Sequence, residues 1–352
     1  MPNPKFFSRL ILLTGIITLQ INYTTGQESS TGSNNQPEKV YSIKWVSQFP
    51  RESEKDKENN NLVSNLFPKQ TVKKNWLSNL IFGRKQFALI RPVTVLAISP
   101  DSLWICDQGN GKIIKAFNGV GEITRFKNDK NIRFPSIVGS CFLPGHEILF
   151  TDSKLNKVFR FTPGNNILQV LNDTLTLDKP TGIAYSIVNK EIWVVETGAH
   201  RISVFNEKGE LIKYIGHRGK GPGEFNFPTF IWIDKLGIIY VCDTLNFRIQ
   251  VFDKTGELLS VFGEAGDALG DFARPKGIAT DSYGNIYIAD ALFHNIQVFD
   301  KTGRLLSVFG SHGRDNEEFW MPVGLYIDNN DFIYVADSYN SRVQVFQLVV
   351  TE

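Results

Sequence analysis

The chain has 352 residues and a formal net charge of +2, from 38 Lys and Arg against 36 Asp and Glu. Because this charge is small, it argues against a protein that binds nucleic acid or anionic lipid through its overall electrostatic field. Three cysteines are too few for a zinc-binding RING region, and they show no Cys-x-x-Cys or other metal-type spacing.

Residues 1–26 have the pattern of a secretory signal peptide. Lys5 and Arg9 make a positive start, Leu10–Ile21 is a short apolar run, and small residues precede a cleavage site after Gly26. The apolar run is short for a membrane span, and an uncleaved anchor is the alternative. We therefore predict an exported protein of the periplasm, cell envelope or extracellular space, with no membrane span after signal cleavage.

Residues 27–75 are predicted to be a linker with one short β-like segment. Ser, Asn, Gly and Gln dominate up to about residue 39, and residues 51–61 are charged and polar. Between them, Val40–Phe49 is rich in β-forming residues. The sequence does not decide whether it adds a further strand or lies across one face.

From residue 76 to residue 352 the chain is predicted to be one domain built of six similar units. Gly277–Gly310 shows the unit best, as four short β-branched and aromatic runs separated by turn residues. Two landmarks recur at spacings of 43 to 48 residues. They are an opening proline (Pro92, Pro135, Pro180, Pro228, Pro275, Pro322) and an acid ending the second strand (Asp107, Asp152, Glu196, Asp243, Asp290, Asp337). Six four-stranded units of this period indicate an all-β fold, a six-bladed β-propeller.

The pattern Pro-x-Gly-Ile-Ala-x-Asp, then Ile-Tyr-Val-Ala-Asp, then Asn-x-Arg-Ile-Gln-Val-Phe, resembles the NHL repeat. It is most complete in Pro275–Asp290 and Val335–Phe346, and the resemblance covers about residues 76 to 348. The sixth unit stops after its third strand, and the resemblance implies a ring closed by an N-terminal strand. Since Trp76–Gly83 matches the fourth-strand ending Arg304–Gly310, we predict that Trp76–Phe82 closes the ring.

Residues that recur in every unit are interpreted as scaffold. The six acids are expected to accept hydrogen bonds from loop amides or from the basic residue five positions later. Phe225, Phe272 and Phe319 recur in the loops between units and are predicted to plug the space between blades. Cys106 and Cys242 are expected to be small buried residues, and Cys141 could approach Cys106 from the neighbouring blade.

Departures from the repeat point to function, because the fold does not require them. Two histidines occupy one loop position, four residues after the acid, and in the second of these units an Asn replaces the usual basic residue. Several His, Arg and Lys residues vary within loops of constant length. The predicted binding residues are His200, His294, Asn295, His217, Arg218, Lys220, His312 and Arg314.

Two classes of function fit these residues. The first is a monomeric, non-enzymatic binding propeller that engages a protein or glycan partner through inter-blade loops and the channel mouth, as many NHL propellers do. It would need no cofactor and no nucleic acid, and RNA binding as in animal NHL proteins is disfavoured by the signal segment.

The second class follows from similarity in fold to peptidyl-hydroxyglycine lyases and lactonase-like propellers. It is a metal-assisted lyase or hydrolase with zinc or calcium at the central channel, held by His200, His294, Glu196 or Asp243. No Ser-His-acid or Cys-His grouping marks a catalytic residue. We therefore expect the binding class.

Overall fold

A computed structural model describes residues 40–50, 88–129 and 132–351, and these residues form a six-bladed β-propeller. The predicted fold is therefore confirmed. Each blade is a four-stranded antiparallel sheet, and the helical content of the described residues is limited to three 3-10 turns. No helix in these ranges is long and apolar enough to cross a membrane. The predicted signal peptide lies outside the described residues.

The blades follow one another along the chain, except that the first strand belongs to the last blade. That strand is β1 (Val40–Phe49). Blade 1 contains β2 (Pro92–Ser99), β3 (Ser102–Asp107), β4 (Lys112–Phe117) and β5 (Val120–Ile123). Blade 2 contains β6 (Ile137–Phe142), β7 (Ile148–Asp152), β8 (Lys157–Thr162) and β9 (Ile167–Val170). Blade 3 contains β10 (Pro180–Ser186), β11 (Glu191–Glu196), β12 (Arg201–Asn206) and β13 (Leu211–Ile215).

The second half of the ring has the same organisation. Blade 4 contains β14 (Phe230–Ile233), β15 (Ile239–Asp243), β16 (Arg248–Phe252) and β17 (Leu258–Phe262). Blade 5 contains β18 (Pro275–Thr280), β19 (Ile286–Asp290), β20 (Asn295–Phe299) and β21 (Leu305–Phe309). The short strands β22 (Ser311–His312) and β23 (Glu318–Phe319) pair in parallel in the next loop. Blade 6 contains β24 (Pro322–Ile327), β25 (Phe332–Asp337), β26 (Arg342–Thr351) and β1. The 3-10 turns are Pro144–His146, Thr244–Asn246 and Ser338–Asn340.

The second strand of each blade is buried on both faces. All five residues of β19 are buried, as are all five of β7 and of β15. Blades stack face to face, so both sides of these strands meet apolar neighbours, and the sequence reads as a continuous apolar run. Cys106 and Cys242 are buried within this packing as expected, and Cys106, Cys141 and Cys242 are free thiols.

The strand that closes the ring differs from the predicted one. β1 pairs with β26 from Val40 opposite Thr351 to Phe49 opposite Val343, with a bulge at Val46. Closure by an N-terminal strand is thus confirmed, but Val40–Phe49 fills the place assigned to Trp76–Phe82, which lies outside the described residues. The physical reason is length, since β1 pairs with nine of the ten residues of β26, more than the seven residues of Trp76–Phe82 could cover.

Glycines allow the inner strands to converge on the central channel. A Cβ at Gly277 would lie 2.4 Å from the carbonyl oxygen of Val323, and one at Gly324 would lie 2.4 Å from that of Val93. In blades 1 and 4 this position is held by Thr94 and Phe230. These two side chains therefore stand between neighbouring inner strands that approach closely where the residue is glycine.

Candidate functional site

The two faces of the propeller carry different loops. The inter-blade loops and the loops between second and third strands lie together where the inner strands begin, which we call the top face. The turns between first and second strands, and between third and fourth strands, form the bottom face. All eight predicted binding residues lie on the top face.

The six recurring acids are fully buried, at 0% exposure, and their oxygens are occupied by the scaffold. Asp290 accepts backbone N–H bonds from Ala273 at 2.8 Å and from Leu292 at 3.0 Å. In blades 4 and 6, an arginine Nε also donates to the acid at 2.8 Å, from Arg248 to Asp243 and from Arg342 to Asp337. These bonds tie the loops of the top face to the ends of the second strands.

The loop position of His200 and His294 requires a left-handed backbone. Their φ angles are 55° and 57°, and the equivalent residues in the other blades also have positive φ, namely Gly111, Asn156, Phe247 and Ser341. Each imidazole Nδ1 accepts a backbone N–H of the next blade at 3.1 Å, from Phe227 to His200 and from Met321 to His294. The neutral ring then carries its proton on Nε2 and has no free lone pair.

The residues of the metal-site alternative do not fit a zinc or calcium centre. Neither histidine has a free nitrogen lone pair, as its Nδ1 accepts an N–H. Glu196 accepts bonds from Arg201 Nε at 2.8 Å and from the Ser203 hydroxyl, and Asp243 accepts from Arg248 and from the backbone of Asn226. Within the described ranges, no three His, Cys, Asp or Glu side chains form a group that could hold a metal.

The predicted residues of the loop between blades 3 and 4 are exposed. His217, Arg218 and Lys220 all face solvent, and His217 Nε2 lies 3.3 Å from Glu224 Oε1. Beneath the loop, Phe225 is fully buried, and a Cβ at Gly216 would lie 2.3 Å from its ring. Phe272 and Phe319 are also fully buried, which confirms the prediction that these phenylalanines plug the space between blades.

Between blades 5 and 6, three predicted residues lie together with two that sequence reasoning missed. We call this set the top-face patch, and it comprises His294, His312, Arg314, Trp320 and Tyr339. The His294 and His312 ring centroids are 4.5 Å apart, and those of His312 and Trp320 are 5.9 Å apart. Arg314 Cζ lies 5.2 Å from the Trp320 ring centroid, and the Trp320 and Tyr339 centroids are 5.8 Å apart.

The backbone beneath the top-face patch is held by hydrogen bonds. The backbone N–H of Trp320 donates to the Asp337 carboxylate at 2.7 Å, and the backbone N–H of Tyr339 donates to the Trp320 carbonyl at 3.0 Å. Tyr339 remains 52% exposed, and His312 and Arg314 are also exposed. Burial and the neighbouring His312 lower the pKa of His294, which favours its neutral form. The patch is therefore a largely aromatic surface on a fixed backbone, with Arg314 as its one arginine.

Aligning the inter-blade loops of the sequence could have identified Trp320 as a departure from the repeat. Where the preceding loops carry Asn226 and Ala273 after the plug phenylalanine, this loop carries Trp320.

His200, by contrast, is buried, and its ring centroid lies 4.4 Å from that of Phe227, so it stands apart from the top-face patch. Asn295 lies at the start of β20, and its side-chain oxygen is buried without a hydrogen-bond partner among the described residues.

Lys276 is a further residue that sequence reasoning missed. Among the inner strands β2, β6, β10, β14, β18 and β24, as the structure bounds them, it is the one charged residue. In blade 4, Thr229 stands at the position of Lys276, and its hydroxyl shares a hydrogen bond of 2.6 Å with the hydroxyl of Thr244. In blade 5, Ala291 stands at the position of Thr244 and has no hydroxyl that could bond Lys276. Burial, with a smaller effect of Arg274, lowers the pKa of Lys276 to about 8.

Comparisons with known proteins agree with this architecture. A family model described as a 6-bladed beta-propeller matches residues 172–243, and a model described as NHL repeat matches residues 319–346. A search of curated proteins found no match to the chain. The sequence relationship is therefore carried by individual blades.

Solved structures resemble the whole ring at low sequence identity. Virginiamycin B lyase from Staphylococcus aureus is 16% identical, with a TM-score of 0.54 over 75% of this chain and 98% of that one. An auxiliary nutrient binding protein from Bacteroides thetaiotaomicron is 12% identical, with a TM-score of 0.59 over 74% and 70%. A protein of the same description from Bacteroides ovatus is 15% identical, with a TM-score of 0.57 over 75% and 70%. These likenesses show the fold alone, so the chain is a six-bladed β-propeller in which residues 319–346 match the NHL repeat model.

Proposed function

We propose that this protein is a non-enzymatic binding propeller that engages a protein or glycan partner through its top-face patch. The observation that carries the proposal is the contact series from His294 through His312 to Trp320 and Tyr339, with Arg314 beside Trp320. Tryptophan, tyrosine and arginine are the residues most enriched at the energetic centres of binding interfaces. Loops held on a rigid scaffold commonly carry such residues.

The chemistry of the patch indicates what its partner must offer. Aromatic rings give large contact areas at a low cost in conformational entropy. The backbone bonds of Trp320 and Tyr339 hold both residues before the partner arrives, which lowers the ordering cost of binding. Arg314 supplies hydrogen-bond donors for a carboxylate or hydroxyl. A partner with an apolar ring or face next to an oxygen acceptor satisfies both features.

The proposal includes export to the periplasm, cell envelope or exterior. This part of it is based on the sequence of the N-terminal segment, which lies outside the described residues. The metal-assisted lyase or hydrolase is the alternative. A lyase and two nutrient binding proteins occur among the structural neighbours, at identities that do not transfer an activity. The binding class is preferred because His200, His294, Glu196 and Asp243 are occupied by scaffold bonds.

A photo-crosslinking amino acid tests the proposal in the native envelope or culture. Placed at Tyr339, it should capture one partner, whereas the same group at Leu236, which is 77% exposed on the bottom face, should not. Affinity for the captured protein, or for a glycan identified on an array, is then compared between the wild type and Trp320→Ala. We expect a loss of at least about tenfold, the usual effect at an interface hot spot.

Leu236→Ala is the matched control and should bind as the wild type does. Equal binding by Trp320→Ala, His312→Ala and the wild type would refute the proposed surface. The metal content of protein purified without chelator tests the alternative. About one zinc or calcium ion per chain, together with a lyase or hydrolase activity that is lost when the metal is removed, would favour it.

A further inference from the structure

The central channel contains a cavity of about 160 Å³ in the half that adjoins the bottom face. Its walls come from the inner strands of all six blades, and the residues lie toward the ends of those strands, away from the opening prolines. The top-face patch is at the opposite end of the channel. The cavity is therefore a separate feature from the surface proposed above.

Apolar side chains close the upper end of the cavity. Phe230 belongs to a buried cluster formed by blades 4 and 5, and Val138 packs against that cluster. Val138 belongs to blade 2, which is adjacent to neither of these blades, so this contact crosses the channel. Apolar side chains from opposite sides of the ring therefore meet at this level, above the cavity.

Four aromatic residues line the cavity below these side chains, namely Phe142, Tyr185, Trp232 and Tyr326. The Tyr326 ring centroid lies 5.8 Å from that of Trp232 and 6.3 Å from that of Phe142. Trp232 Nε1 donates to Thr280 Oγ1 at 2.9 Å, which fixes the indole and satisfies its polar edge. No lining residue is charged, so the cavity suits a neutral group.

Polar groups also reach the cavity. Each inner strand pairs with only one neighbour, so its other edge turns backbone N–H and C=O groups toward the channel. Thr94 and Ser140 share a hydrogen bond of 3.1 Å within the lining. The Tyr326 hydroxyl makes no hydrogen bond to the described residues, and burial raises the pKa of Tyr326 to about 12, so it stays a neutral donor. A purely hydrocarbon occupant would leave the channel-facing strand edges and the Tyr326 hydroxyl without partners.

We propose that the cavity binds one neutral sugar ring, such as the terminal pyranose of a glycan. A cavity of about 150 Å³ holds a single benzene ring, so a volume of about 160 Å³ limits the occupant to one six-membered ring. Aromatic walls cover the apolar faces of the sugar, and the strand edges and Tyr326 bond its hydroxyls. An acidic sugar would bury a charge without a counter-ion and is excluded.

The test uses the full chain with methyl glucoside, methyl galactoside and N-acetylglucosamine as probes, and with glucuronate and phenol as comparison ligands. Binding is measured by saturation-transfer NMR and calorimetry. One ring of this size should bind with a dissociation constant in the millimolar range. Tyr326→Phe keeps the ring and removes the hydroxyl, and it should weaken sugar binding about fivefold or more. Trp232→Leu removes one wall and should abolish it.

The control is Leu259→Ala, an exposed residue of the outer strand β17 that belongs to neither site, and it should bind sugar as the wild type does. The two proposals fail independently because each has its own variant, Trp320→Ala for the top-face patch and Tyr326→Phe for the cavity. Selective binding of a neutral sugar that Tyr326→Phe weakens supports the site, whether or not Trp232→Leu folds. The site is wrong if no probe sugar binds at concentrations far above the millimolar range. It is also wrong if phenol or glucuronate binds as tightly as the sugars, or if Tyr326→Phe binds sugar unchanged.

Discussion

Replacing Lys276 with methionine is expected to stabilise the folded protein at neutral pH. The side-chain ammonium of Lys276 has no hydrogen bond or ion pair with the residues that the structure describes, and burial with Arg274 lowers its pKa from 10.5 to about 8. A pKa difference of this size corresponds to roughly 3 kcal/mol, since one unit is about 1.36 kcal/mol. Methionine keeps the unbranched chain without the charge, so the penalty should be removed with little change in packing.

The pH dependence distinguishes this cause from a general gain in packing. Because the folded pKa is below the unfolded one, the unfolded chain binds more protons between about pH 8 and pH 10.5. The penalty from Lys276 is therefore fully present below that window and is lost as the pH rises through it. The stability of the wild type should approach that of Lys276→Met at the upper end.

Urea unfolding of both proteins measures the effect at several pH values. The difference in unfolding free energy should fall from roughly 3 kcal/mol near pH 7 to close to zero above about pH 10.5. Lys235→Met, which replaces an exposed lysine on the bottom face, is the control and should show no such trend. A variant that is less stable than the wild type at pH 7, or a difference that does not change with pH, would refute the reasoning.

Two further predictions concern the scaffold. Asn295→Arg should stabilise the protein by about 1–3 kcal/mol in urea unfolding, because Arg248 and Arg342 at the same position bond both their acid and the carbonyls of the preceding loop. A loss of stability in Asn295→Arg would show that blade 5 cannot accept this network. Phe49→Ala should destabilise by about 3–5 kcal/mol, since Phe49 is 4% exposed within a core cluster. Val46→Ala, at the exposed bulge of β1, should change little, and equal midpoints for the two β1 variants would contradict closure by this strand.

The sequence by itself determined the repeating features of this protein. Blade number, the scaffold acids and the buried plugs Phe225, Phe272 and Phe319 follow from local patterns. A short apolar run between turn residues forms a strand wherever it recurs, and a residue present in every unit serves the same local bonds in each. These features depend on contacts within one blade or with the next, so spacing along the chain is enough to find them.

Tertiary structure alone decided which distant residues meet. The composition of Trp76–Gly83 resembles a fourth strand, yet Val40–Phe49 closes the ring because it pairs with nine of the ten residues of β26. His200 and His294 are equivalent in sequence, but Phe227 packs on His200, whereas His312 packs on His294. These outcomes depend on the identity of neighbours in the adjoining blade and loop. No local pattern encodes them, because packing between blades is a property of the assembled ring.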